Sequence, residues 1–413
     1  MTVEVRPLGV NCNIRCQYCY QDPQRDAGGL SPTYDLELMK KAILAEGGPF
    51  SLFGGEPLLV PIEDLENLWA WGLAKFGHNG IQTNGTLITD DHIRLFKLYR
   101  VSVGISIDGP GPLNDVRWNG SLARTRESTE RTERAVEKLC DHQIAPSLII
   151  TLHQGNASST RLPALIDWVR YLESRGVRSV RLHLLESERP ELKARYGLTN
   201  DENISALLAF LALEKELQLL RFDIFSDMRR MLAGQDDRVT CIWTGCDSYT
   251  TAAVRGVEGQ GQRSNCGRTN KDGIDFVKGH TAGYERYLAL YHTPQENGGC
   301  RDCRFFLMCK GNCPGTAIDS DWRNRTEHCE VWKAVYTHLE RESISTGGRP
   351  LSVAPERDHL ERAHLKAWSS SKRTNMATLL SKRQATPVPP TALRSLLEDI
   401  REDLKQLQAK CQN

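Results

Sequence analysis

The stretch Cys12–Tyr20, CNIRCQYCY, sets three cysteines at C-x3-C-x2-C spacing with no fourth cysteine close by. Thiolates are soft ligands, suited to zinc, copper(I) or iron–sulfur clusters. A structural zinc ion closes its shell with four ligands, so three thiols alone suit it poorly. A cubic four-iron cluster held by three cysteines keeps one iron without a protein ligand. That iron is open to a small molecule, and the cluster can pass it an electron. The composition favours such chemistry over cross-linking. Thirteen cysteines occur in 413 residues, and the opening MTVEVRPLGV lacks the charged-then-apolar order of a secretion signal. The reading therefore places the protein in the cytoplasm, where thiols stay reduced and cysteine groups bind metal or do redox work.

The 53 Lys and Arg nearly cancel the 52 Asp and Glu, so no global field draws the chain to nucleic acid or an anionic membrane. No apolar run reaches the roughly 20 residues of a membrane span. The run ISALLAFLAL, followed by EKELQ, reads as an amphipathic helix of a soluble protein.

Outward from the cysteine loop, β-rich runs alternate with helical patterns. Strands are expected at Thr2–Val10, Phe50–Pro57, Gly80–Ile88, Val101–Gly109, Pro146–His153 and Arg178–Glu186. Helices are expected at Asp35–Glu46, Ile62–Lys75, Ser121–His142 and Leu162–Arg175. No G-x-G-x-x-G opens a helix after a strand. The fold class is thus α/β, a partial (β/α)6 TIM-type barrel over residues 1–225. In such barrels chemistry gathers at the C-terminal ends of the strands. The stretches CNIRCQYC, GGEP, TNG and SIDGP all fall there.

Beyond about Phe225 regular alternation stops and cysteines become dense: Cys241, Cys246, Cys266, Cys300, Cys303, Cys309, Cys313 and Cys329. Tyr249–Gly261 reads as a β-hairpin. Residues 226–340 form a small loop-rich α+β domain that needs metal to hold a core. Residues 341–390, ending in TPVPP, read as a linker, and 391–413 as a C-terminal helix. In that helix Leu393, Leu397, Ile400, Leu404, Leu407 and Cys411 make a heptad seam that packs on the body or on a partner. Cys140 reads as a buried apolar thiol.

C-x3-C-x2-C with an aromatic before the last cysteine (Cys12, Cys16, Tyr18, Cys19) resembles the signature of the radical S-adenosylmethionine (SAM) enzymes. The resemblance implies a [4Fe-4S] cluster on Cys12, Cys16 and Cys19. Its open iron would chelate SAM, and reduction would release methionine and a 5′-deoxyadenosyl radical that abstracts a substrate hydrogen. GGEP resembles the family's SAM-amino-group motif, which implies that Gly54 and Gly55 let backbone approach SAM while Glu56 pairs with its ammonium. Asn84 and Ser106 match positions of polar contacts to SAM's carboxylate or ribose, and Tyr18 a backbone position near adenine. Asp108 reads as a turn former.

The later cysteines, as Cys246-x14-Gly261-x4-Cys266 followed by Cys300-x2-Cys303-x5-Cys309-x3-Cys313 and then Cys329, resemble the SPASM domain of many radical SAM enzymes. Alone, the four-cysteine run also reads as a zinc site. The resemblance, with Cys241 as an eighth thiol, implies two auxiliary [4Fe-4S] clusters. By family analogy Cys241, Cys246, Cys266 and Cys313 hold one, and Cys300, Cys303, Cys309 and Cys329 the other. With every vertex closed, their role would be to accept electrons.

The implied function is a cytoplasmic radical SAM oxidoreductase, a peptide maturase that oxidatively modifies or crosslinks a ribosomally made precursor peptide. Reduced flavodoxin or ferredoxin would supply electrons. Only eleven residues precede Cys12, so no fused leader-binding module is expected. A separate leader-binding protein, the SPASM face or the C-terminal tail would serve. The alternative is a formylglycine-forming, sulfatase-maturating enzyme. That branch of the family carries an aspartate base after the third cysteine of the second field, where this chain has Gly267; Asp272 or Asp275 would have to substitute. A non-catalytic iron–sulfur or zinc regulator is the remaining alternative. Arg323–Cys329 and Ser174–Arg181 are basic enough to meet an acidic peptide, although ordinary solvated surface is the better account of both.

Overall fold

The computed structural model describes residues 3–26, 33–187, 189–244, 246–247, 254–268 and 283–384. Six short, apolar strands appear where the alternation placed them: β1 (Val3–Arg6), β2 (Phe50–Leu52), β3 (Asn79–Thr83), β4 (Val101–Ser106), β5 (Ser147–Leu152) and β6 (Ser179–Leu184). A seventh, β7 (Arg221–Phe222), continues the series. All seven pair in parallel in chain order. Val3, Val5, Leu52, Ile81, Val103, Ile105, Leu148 and Leu182 pack under the outer helices, each almost wholly buried. The alternate residues of the strands turn to the concave side, where the site lies.

Helices close each crossover and are capped by local chemistry. Leu36–Glu46 starts at Asp35, whose carboxylate accepts from the N–H groups of Glu37 and Leu38, both at 2.9 Å, and stops at Gly47 with φ 71°. Ile62–Phe76, Leu122–Asp141 and Leu162–Arg175 match expectation within a residue or so. The ISALLAFLAL run lies in helix Asn200–Glu216, opened by a capping box of Thr199 and Glu202, with Ala206, Leu207, Phe210 and Leu211 buried. No described helix is long and apolar enough to cross a membrane.

Three features depart from the expected organisation. First, the boundary at 225/226 falls inside helix Asp223–Leu232, whose Ile224, Phe225, Met228 and Met231 are all in the core. Second, the expected hairpin lies a few residues later, as β8 (Arg255–Glu258) and β9 (Arg263–Asn265). Strand β8 pairs in parallel with β1, from Val3↔Arg255 to Arg6↔Glu258, so the sheet runs β7-β6-β5-β4-β3-β2-β1-β8-β9. Third, residues 341–384 are helical rather than a linker: Cys329–Ser345 continues past 340, followed by Arg357–Trp368 and Met376–Gln384. Leu360, His364 and Trp368, each four apart, form a buried stripe. Asp236 caps the last helix by accepting from the N–H groups of Met376 and Ala377. Tyr249–Ala253, Asp272, Asp275, residues 385–390 and the seam of 391–413 lie outside the described residues.

Candidate active site

The chain leaves β1 through Pro7–Gln21, and this loop carries Cys12, Cys16 and Cys19. Two backbone bonds dock it on the segment after β4, Arg15 N to Trp118 O (2.7 Å) and Gln17 N to Val116 O (2.9 Å). Two more dock it on GGEP, Gly55 N to Gly9 O (3.1 Å) and Glu56 N to Asn11 O (2.7 Å). The glycines are required by that contact. A Cβ on Gly54 would lie 2.4 Å from the Gly9 carbonyl oxygen, and one on Gly55 1.9 Å from that of Asn11.

Glu56 is held by groups of the protein itself. It is 1% exposed and does not line the cavity. Its carboxylate accepts from Leu58 N (3.0 Å), Thr83 Oγ1 (2.7 Å) and Asn84 N (2.8 Å). Burial raises its pKa, and these three donors oppose that rise. Glu56 therefore fixes the end of β3. Asn84 in turn donates to Asn13 Oδ1 (2.8 Å) and comes within 3.8 Å of the Cys12 sulfur. Ser106 accepts from Gln82 Nε2 (2.9 Å) on the neighbouring strand.

Asp108 is more than a turn former. It is fully buried and accepts from the Tyr18 hydroxyl (2.5 Å) and from Thr151 N (2.9 Å), with His153 Nε2 at 3.5 Å. Burial pushes its pKa up, but His153, Arg117 and Tyr18 together bring it below the usual value. The Tyr18 side chain is thus tied to the wall, and Arg117 Nη1 donates to the same hydroxyl at 3.1 Å. Arg117 and Arg25, which no motif marked, set positive charge against the cysteine loop. Arg25 Nη2 is 3.9 Å from the Cys19 sulfur, and Arg117 acts on the Cys16 thiol.

These groups face a cavity of about 320 Å³. Cys12, Cys16 and Cys19 line it, with Gly54, Gly55, Tyr18, Asn84 and Ser106, and so do Cys241, Cys266 and Cys313. Arg268 also lines it, donating to Glu186 Oε1 (2.7 Å) and sharing a 2.6 Å bond with His183 Nδ1. Gly267 has no room for a side chain: a Cβ there would sit 2.9 Å from Tyr20 Cε2 and 3.1 Å from Arg6 Nη1. Cys246 is half-buried and lines neither this cavity nor the next.

A second cavity of about 20 Å³ is lined by Cys300, Cys303, Cys309 and Cys329. Lys310, Gly311 and Asn312, the whole segment between Cys309 and Cys313, have φ of 50°, 74° and 57°. Three successive left-handed residues turn these two thiols toward different cavities, at a cost of about 1 kcal/mol or more for each non-glycine. Cys140 is half-buried on its helix and lines neither cavity. Burial pushes the Cys12 and Cys313 thiols up to about 11, and Cys16, Cys241 and Cys300 up to about 12. Such thiols ionise only when a metal takes the proton's place. Among the described residues no three His, Cys, Asp or Glu side chains converge on a single metal ion. The thiols ring volumes instead.

The Radical SAM superfamily model matches residues 7–183. The chain is 30% identical over 211 residues to the serine-type anaerobic sulfatase-maturating enzyme of Klebsiella aerogenes, covering 48% of this chain and 50% of that one. It is 35% identical over 170 residues to the serine-type enzyme of Bacteroides thetaiotaomicron, covering 38% and 40%. The match thus spans about half the length of these curated relatives or less. Among solved structures, native anSMEcpe with bound AdoMet superposes with a TM-score of 0.65 at 19% identity, over 84% of this chain and 98% of that one. Streptococcus suis SuiB bound to S-adenosylmethionine gives 0.51 at 12%, over 80% and 77%. At such identities these two show a shared fold, including the cysteine-rich region behind the barrel. Residues 7–183, which carry the cysteine loop and the strands of the barrel from β2 into β6, are what this chain shares with the Radical SAM superfamily model.

Proposed function

We propose that this protein is a radical SAM enzyme that oxidatively modifies or crosslinks a ribosomally made peptide. One observation carries the reading: a single cavity is lined both by Cys12, Cys16 and Cys19 and by Cys241, Cys266 and Cys313. A side chain held there lies between a radical source and an electron acceptor. The donor chemistry fits. Three half-buried thiols, two guanidiniums beside them and a loop braced by Gly54 and Gly55 suit a cluster with one open iron and a zwitterionic ligand. When bound, that cluster supplies the electron that cleaves SAM and releases the hydrogen-abstracting 5′-deoxyadenosyl radical. The chain's own residues position the partners. Gly54, Gly55, Asn84 and Ser106 line the SAM side, with Glu56 holding the Asn84 backbone. Tyr18, tied to Asp108, keeps the cysteine loop in place, and Trp243 and Leu184 add apolar walls that exclude water. Cys241, Cys246, Cys266 and Cys313 would hold the acceptor next to the substrate; Cys300, Cys303, Cys309 and Cys329 would hold a second one.

The barrel, through helix Asp223–Leu232, and the cysteine-rich region after it would then act as the radical-generating and cluster-holding parts, with reduced flavodoxin or ferredoxin as donor. A separate leader-binding protein, the face of the cysteine-rich region or the C-terminal tail would bring the peptide. Oxygen-free protein, reconstituted and given dithionite and SAM, should be brown, hold about twelve irons and release 5′-deoxyadenosine. Stoichiometric zinc with about four irons would remove the acceptor role, and no 5′-deoxyadenosine under any condition would leave a regulator.

A second reading, formylglycine formation on a sulfatase, is favoured by the names of the curated relatives and weakened by Gly267, where Tyr20 and Arg6 leave no space for a side chain. Incubation with peptides carrying a sulfatase-type Cys or Ser, followed by mass spectrometry for the aldehyde, tests it directly.

A further inference from the structure

Arg286, on helix Glu285–His292, is 0% exposed. Its guanidinium donates to four backbone carbonyls: Trp322 (2.6 Å), Lys310 (3.1 Å), Gly311 (3.3 Å) and Asn324 (3.0 Å). Those bonds satisfy its donors without neutralising its charge, and among the described residues no carboxylate pairs with it. Arg325 repeats the pattern. It is half-buried, its Nη1 donates to the carbonyls of Gln295 and Gly299, its Nε has no partner, and no described carboxylate pairs with it either. A buried cation without an anion is strongly disfavoured, so such a charge implies a buried counter-charge.

Both guanidiniums border the same place. Arg325 lines the cavity of Cys300, Cys303, Cys309 and Cys329, and the carbonyls of Lys310 and Gly311 anchor Arg286 immediately after Cys309. Both act on the Cys300 thiol, and Arg286 also on Cys309. Empty, the cavity would leave two cations facing neutral thiols. A four-iron cluster on four thiolates carries a formal charge of about −2, which two guanidiniums balance.

We propose that Arg286 and Arg325 are the built-in counter-charges of the group held by Cys300, Cys303, Cys309 and Cys329, and that they raise its reduction potential. The inference rests on the reading of that second cavity as a cluster site. The physics is direct: adding an electron takes the cluster one charge more negative, and nearby cations stabilise the reduced form more than the oxidised one. Lys333, on the same wall, also acts on the Cys329 thiol, but its charge is already engaged by Gln295 Oε1 at 2.6 Å and Glu330 at 3.6 Å.

The test is a redox titration of the whole, oxygen-free, iron-loaded chain followed by electron paramagnetic resonance. A Cys329→Ser variant identifies the signal of this site by altering it. Arg325→Gln should lower that signal's midpoint by about tenfold in the reduction equilibrium, about 59 mV for one electron, while Arg325→Lys should stay near the parent value. The other signals should hold. Arg286→Lys should likewise preserve the potential, and Arg286→Met should lower it or lose this one signal. If Arg286→Met fails to fold, Arg325→Gln decides alone. An unshifted midpoint in Arg325→Gln overturns the proposal. Stoichiometric zinc or no iron at these four cysteines in the unaltered protein overturns the cluster reading itself, and the metal count separates that result from the first.

Discussion

From Val3 to Leu232 the chain buries aliphatic and aromatic side chains on strands and helices that satisfy their own backbone groups. From Gly283 to Asp321 it has two short helices, three-residue turns, and five of the eight non-glycine residues with positive φ. It carries there three of the four thiols around one small cavity and a buried guanidinium that no described carboxylate pairs with. The first region offsets chain entropy with its own apolar core; the second adds to Tyr287, Leu290, Phe305, Phe306 and Met308 a set of thiols and a cation that call for a partner. On the proposed reading, the barrel would be a scaffold before any cofactor arrives, while the cysteine-rich region would be completed by it.

Stripping the iron breaks the comparison most directly. With a chelator under reducing conditions, amide exchange should accelerate strongly across 283–345 while β3, β4 and β5 keep their protection. The loss is on the scale of the roughly 10 kcal/mol that bound metal contributes in small metal-held domains. Equal loss in both regions would erase the distinction. Next in size is the effect of Cys16→Ala: release of 5′-deoxyadenosine should fall to that of protein-free solution, while thermal unfolding of the barrel shifts by only a few degrees. A third test sharpens the barrel side. Glu56→Gln places an amide N–H where Asn84 N needs an acceptor, and replaces charge-assisted bonds to Leu58 and Thr83. The expected cost is about 2–3 kcal/mol in denaturant unfolding. SAM affinity lost at unchanged stability would instead mean that the carboxylate touches SAM, as the GGEP resemblance implied.

The sheet was legible because its strands are short runs of Val, Ile and Leu bounded by turn residues, a signal carried within a few neighbouring positions. The cysteine loop was legible by residue type, as were Gly54 and Gly55, although the contact that demands those glycines is with Gly9 and Asn11 across the chain. Long-range pairings were not. Nothing in RGVE says that β8 joins β1, some 250 residues away in sequence, and nothing near Arg117 says that it meets Tyr18. Asp108 looked like a turn former because SIDGP is good turn chemistry; its role follows from His153 and Tyr18, both distant in sequence. Residues 357–384 looked like a linker because one face holds nearly all the charge, which hid an apolar stripe of one residue per turn.

That stripe has a histidine at its centre, and the smallest of the predicted effects tests whether the helices behind the cysteine-rich region are docked by it. His364 is fully buried, its Nδ1 shares a 2.8 Å bond with the carbonyl of Leu360, and its ring meets Trp368 edge-on at 5.1 Å. Burial is the largest influence on it, and its pKa falls to about 4. The unfolded chain takes up this proton near pH 6.5, the folded one only near 4, so the unfolded state binds more protons between those values. Stability is therefore complete above about pH 6.5 and declines as the pH falls toward 4, by about 1.4 kcal/mol per pH unit. Between pH 7.5 and 5.5 the parent protein should lose about 1.4 kcal/mol from this group. His364→Leu, which continues the apolar stripe, should remove that part of the acid sensitivity. Amide exchange in 357–384, measured at both pH values in parent and variant, reads the effect where it arises. An unchanged pH response in the variant would mean that the ring is protonated or hydrated in the fold, and that the helices behind the cysteine-rich region pack by some other face.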